Sequence, residues 1–124
     1  MNQETLLYRQ IPGCYIQNGH VSSLAFRPMP KDKDKLSVYD GDKIEPEAAL
    51  RHFIEELHGQ TEGVLAVSGE ECQGKGLPFV EDYSTHYYHA LIDFSGKSGN
   101  ACKRLSEYLR NFAENRGWLF RKKS

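Results

Sequence analysis

The sequence predicts one α+β domain over residues 1–124: a mixed β-sheet with an N-terminal hairpin and two main helices packed on it. Three observations carry this. Asn18-Gly19 separates two arms of strand-forming residues, and both positions of a type I′ turn need positive φ, which this pair tolerates. Two stretches repeat apolar residues at the helical period, Leu50, Phe53, Ile54, Leu57 and then Ala101, Leu105, Tyr108, Leu109, Phe112, Ala113. Between them stand apolar or aromatic runs of strand length, so strands and helices alternate after an all-strand start.

Residues 5–10 read as a first short strand, stopped by Pro12-Gly13. The hairpin follows, with arms 14–17 and 20–26, and Arg27-Pro28-Met29-Pro30 ends its second arm. Lys31-Asp32-Lys33-Asp34-Lys35 is a solvated loop of alternating sign, and Leu36-Ser37-Val38-Tyr39 is a strand closed by Asp40-Gly41-Asp42. Pro46 suits the first position of a helix, which Gly59 should stop. Val64-Leu65-Ala66-Val67 reads as a central strand. Ser68 and Glu71 have capping-box spacing for one or two helical turns. Residues 85–94, dense in β-branched and aromatic side chains, read as a buried strand. Ser98 is placed to cap the long last helix, Arg116 lies in its final turn, and Gly117 follows it.

A chain of 124 residues, 39% hydrophobic and 27% charged, is long enough for one core and too apolar for wholesale disorder. No apolar run approaches the roughly 18 residues of a membrane span. Met1 to Thr5 lacks the basic start of a secretory signal, so a cytoplasmic location is expected. Cys14, Cys72 and Cys102 are an odd, scattered set without Cys-x-x-Cys, which argues against a disulfide framework and a structural zinc site. Acidic residues crowd the stretch from Asp40 to Asp82, and basic ones the stretch after Lys97. That asymmetry suits docking to a protein partner or self-association.

Cys72 would lie near the start of a short helix, where the dipole favours a thiolate, although Glu70 and Glu71 oppose it. On a regular strand His89, Leu91 and Asp93 share a face and His86 points the other way. His89 and Asp93 would be roughly 13 Å apart at about 3.3 Å per residue, too far to bond. The two histidines can share a site only if His86 precedes the strand or sits at a bulge. The aspartates at 32, 34, 40 and 42 do not match a calcium loop. Gly96-Lys97-Ser98 lacks the first glycine of a phosphate loop, so neither a metal nor a cofactor is expected. Lys103, Arg104, Arg110 and Arg121 form a basic end suited to a partner, while a pI near 6.5 is a poor fit to a nucleic-acid binder.

The chain resembles a group of small bacterial proteins with no assigned activity. The matching pieces are Phe26-Arg27-Pro28 with Pro30-Lys31-Asp32, Leu36-Ser37-Val38-Tyr39-Asp40-Gly41-Asp42, Gly63-Val64-Leu65-Ala66-Val67 and Glu71-Cys72 with Gly76-Leu77-Pro78. His89-Ala90 with Ile92-Asp93-Phe94, and Gly117-Trp118-Leu119, complete them. The resemblance implies a compact bacterial accessory protein. Cys72 and His89 fall within matching pieces, whereas His20 and His86 do not. Two readings follow: a non-catalytic module that docks a partner protein through charged faces, or an enzyme-like domain. In the second, Cys72 is nucleophile or acyl carrier, His89 or His86 the base, with Glu71 or Glu81 nearby.

Overall fold

The structure, a computed structural model, describes residues 1–29 and 33–123. Among the described residues, eight strands and three α-helices follow one another as β1 (Leu6–Ile11), β2 (Ile16–Gln17), β3 (His20–Val21), β4 (Lys35–Asp40), α1 (Pro46–Glu55), β5 (Gly63–Ser68), α2 (Gly69–Gly74), β6 (Phe79–Glu81), β7 (His89–Asp93), α3 (Gly99–Arg116) and β8 (Phe120–Arg121). Six strands form one sheet in the order β6-β7-β4-β1-β5-β8, and β2-β3 form the small hairpin. The expectation of a mixed sheet narrows, because every pairing among the described residues is antiparallel. The strand read as a minor first element, β1, is central. It pairs along its whole length with β5, from Leu6 opposite Ser68 to Ile11 opposite Gly63.

The two main helices lie on opposite faces of the sheet. On one face Leu7, Ile11, Leu36, Val38, Leu65, Val67, Ala90 and Ile92 pack with Cys102, Leu109 and Ala113 of α3. On the other, Tyr8, Tyr39, Val64 and Ala66 pack with Ala49 and Leu50 of α1. Strand alternation sends successive residues to these two cores, and this is why β5 is apolar throughout. No helix among the described residues is long and apolar enough to cross a membrane.

Several local expectations are adjusted by packing. The hairpin turn is as expected, with Asn18 at φ 52° and Gly19 at φ 79°. Its second arm, however, ends at Val21, and Ser23–Phe26 becomes a short 3-10 helix capped by the Ser22 side chain. The left-handed residue after α1 is His58 at φ 56°, not Gly59. Leu57, expected in the apolar stripe, therefore lies beyond the helix and is exposed. Tyr108 is likewise exposed, its ring under the Lys75 ammonium at 3.7 Å. The acid–lysine loop at 31–35 lies partly outside the described residues.

The capping box at α2 is complete. Ser68 Oγ accepts from the Glu71 amide and Glu71 Oε1 accepts from the Ser68 amide. The same carboxylate takes Arg116 Nη1 at 2.9 Å, and that guanidinium also donates to the Ala66 carbonyl at 2.8 Å. One residue of α3 thus ties the start of α2 to the end of β5. Gly41 acts at this same end of the sheet, where Leu6 lies opposite Ser68: its amide donates to the Leu6 carbonyl, and a Cβ there would lie 2.4 Å from that oxygen.

Candidate functional site

The site begins with a split in the sheet. Strands β1 and β4 pair only at Leu7–Asp40 and Tyr8–Tyr39 among the described residues, whereas β4 continues to pair with β7 through Lys35. Beyond Tyr8 the two strands part, and their backbone groups need other partners. Arg9 supplies one: Nη1 donates to the Ser37 carbonyl of β4 at 2.9 Å, and its Nε donates to the Ala25 carbonyl of the 3-10 turn at 2.7 Å. Helix α1 is too short to cover the sheet over this split, and a cavity of about 270 Å³ remains. The sheet contributes Tyr8, Arg9, Gln10, Tyr39 and His89, α1 contributes Phe53 and the turn after it Leu57, and the segment before β7 contributes Thr85 and His86.

Gln10 is the unusual residue. It is 5% exposed, yet neither Oε1 nor Nε2 of its amide meets a hydrogen-bond partner among the described residues. A buried amide in that state costs about 1–3 kcal/mol. The expected strand over residues 85–94 is corrected here, since only His89–Asp93 pairs as a strand. Residues 83–88 fold into turns because their side chains find partners on one another. The Asp82 carboxylate accepts from the Ser84 amide and hydroxyl, while Tyr83 and Tyr87 stack with centroids 6.1 Å apart beside the Lys43 ammonium. His86 therefore precedes the strand, one of the two arrangements in which it can join His89. Their ring centroids are 5.4 Å apart.

One further histidine completes the cluster. His52 of α1 lies 4.6 Å from the His86 ring, and its Nδ1 meets the Tyr39 hydroxyl at 2.8 Å. Burial raises the Tyr39 pKa, so the hydroxyl keeps its proton, and the His52 tautomer sets which of the two groups donates. His86 Nδ1 accepts the Tyr88 amide at 3.1 Å, which leaves the ring proton on Nε2. Burial, with His52 and His89 alongside, pushes His86 down to about 4 and keeps it neutral. His89 Nδ1 faces the Asp82 carboxylate at 3.1 Å and the Asp82 carbonyl at 3.2 Å, so it carries hydrogen and Nε2 is the ring's acceptor. Ser84 holds the Asp82 pKa below the usual carboxylate range, with a smaller contribution from His89. No group of three or more His, Cys, Asp or Glu among the described residues is arranged to hold a metal ion.

Cys72 stands apart from this cluster. It is fully buried in the core beneath α3, while His89 pairs with Tyr39 on the α1 face. Burial, with Glu71 adding to it, pushes its thiol up to about 12, the opposite of an activated nucleophile. Glu71 is held by Arg116 and the capping box, and Glu81 accepts from Tyr83 and pairs with Lys43 at 3.7 Å. At the basic end Lys103 and Arg104 are exposed, and Arg121 lies over the Trp118 ring at 4.6 Å. Arg110 is turned inwards, donating to the Val21 carbonyl at 3.0 Å and pairing with Glu114 at 3.7 Å. Neither a protein-family model, a curated protein nor a solved structure matches the chain.

Proposed function

We propose that the protein is a small non-catalytic binding domain whose ligand occupies the cavity between the split sheet and the end of α1. The observation that carries this reading is the Gln10 amide, buried with both polar atoms unmatched beside a ring-lined cavity. An apolar side chain would fill that position more favourably, so a polar one is explained by a ligand that completes its hydrogen bonds. Docking through charged faces has less support, because Arg110 and Arg116 are engaged within the fold, while Lys97, Lys103, Arg104 and the tail face outward. Three free thiols fit a reducing, cytoplasmic setting.

A fragment screen followed by amide NMR tests the reading. Hits should shift the backbone amides of Tyr39, His86 and His89, and Gln10→Leu should remove most of them. A library that perturbs none of these three resonances would contradict it.

The Asp82–His89 contact favours a second reading, acid–base chemistry on the bound molecule. A carboxylate that orients an imidazole and fixes Nε2 as acceptor is the arrangement of a general base, here acting on water. Under that reading a cavity ligand is consumed, more slowly in His89→Gln. Recovery of every bound compound unchanged after prolonged incubation would leave the non-catalytic reading in place.

A further inference from the structure

We propose that the cavity reads a flat, uncharged heteroaromatic base whose edge sets a hydrogen-bond donor beside an acceptor, as in an aminopurine or aminopyrimidine. This rests on the ligand-site reading above and gives it a chemical class. The argument starts from the two unmatched atoms of Gln10. A primary amide presents one acceptor and one donor side by side, and a single ligand edge of the complementary kind satisfies both, as glutamine does with adenine. A carboxylate or phosphate offers acceptors only and would set its charge against Oε1. An ammonium or guanidinium offers donors only and would leave Nε2 unmatched.

The surroundings select the rest of the molecule. Tyr8, Tyr39, Phe53, His86 and His89 bring five rings to the cavity, and flat ligands gain by stacking on such surfaces. The space of about 270 Å³ lies just under the usual range of roughly 300–1,000 Å³ for drug-sized ligands, so it suits one ring system rather than a nucleotide with its phosphates. The His86 ring stays neutral and offers an anion no counter-charge, while Arg9, which also lines the cavity, spends two of its guanidinium N–H donors on backbone carbonyls.

Titration of isotope-labelled protein with four probes tests the inference: adenine, cytosine, purine without the amino group, and benzoate. Adenine or cytosine should shift the Gln10 side-chain amide and bind at least ten-fold more tightly than purine or benzoate. Gln10→Leu, and Gln10→Glu as a variant of nearly the same shape, should each weaken that binding at least ten-fold while keeping a native backbone spectrum. If purine or benzoate binds the cavity as well as adenine, the donor–acceptor edge is overturned although the cavity remains a binding site. If neither amino base shifts a cavity resonance, the ligand class is overturned; the site itself falls only if the fragment screen is also silent there.

Discussion

At the scale of single residues, environment decides chemistry more than residue type does. Cys72 has the helix-start position of a reactive thiol, but desolvation exceeds the dipole and its thiol is pushed up to about 12. Alkylation of the native protein at neutral pH should therefore modify exposed Cys14 and spare Cys72, which reacts only on unfolding. Rapid native labelling of Cys72 that disappears in His89→Ala would overturn this placement. His86 has the opposite problem, since its charged form is disfavoured. Its pKa drops from 6.5 to about 4, so the folded protein binds this proton less readily than the unfolded chain. Stability is then complete above about pH 6.5 and declines as pH falls towards 4. The groups facing it are His52, His89, Tyr39 and Tyr88, with Asp82 behind His89. Denaturant unfolding at several pH values should give a shallower decline for His86→Gln than for the wild type. Equal slopes would place the pH dependence elsewhere. Of these residues the sequence brought His86 and His89 to notice, whereas Gln10, His52 and Asp82 had no spacing to mark them. A glutamine inside an apolar strand is a signal only once that strand is known to be central.

At the scale of elements, local chemistry was legible wherever it is completed locally. The Asn-Gly turn, the Ser68 capping box, the Ser98 cap and Pro46 at the start of α1 all depend on neighbours within a few residues. The segment before β7 was misread because its tyrosines and histidines have strand propensity but pack on one another and on Lys43, which lies far away in sequence. The α3 stripe was displaced for a related reason. Its buried centre is Cys102, Ser106, Leu109 and Ala113, with Leu105 and Phe112 at the margin and Tyr108 outside. Leu109 is fully buried, so Leu109→Ala should cost about 2–5 kcal/mol in denaturant unfolding through the lost contacts and the cavity left. A change within experimental error would mean that α3 does not present this face. Gly41→Ala should also destabilise, because its Cβ would meet the Leu6 carbonyl oxygen at 2.4 Å. An unchanged melting temperature would show that the turn after β4 yields freely.

At the scale of the whole molecule, helices on the two faces of one sheet leave unequal cover. The 18 residues of α3 seal one side, and the 10 residues of α1 leave the split between β1 and β4 open. The cavity, His86, His89 and Gln10 all border that uncovered ground. No local pattern announces such a place, since it arises from what two strands fail to pair and what one helix fails to reach. The central claim is that Gln10 is kept for a ligand at the expense of the free fold. Denaturant unfolding of unliganded Gln10→Leu against wild type tests it most directly. With the unmatched amide removed and the volume nearly conserved, the variant should be more stable by about 1–3 kcal/mol. A loss of stability of that size would mean that the glutamine supports the structure itself, and would contradict the account.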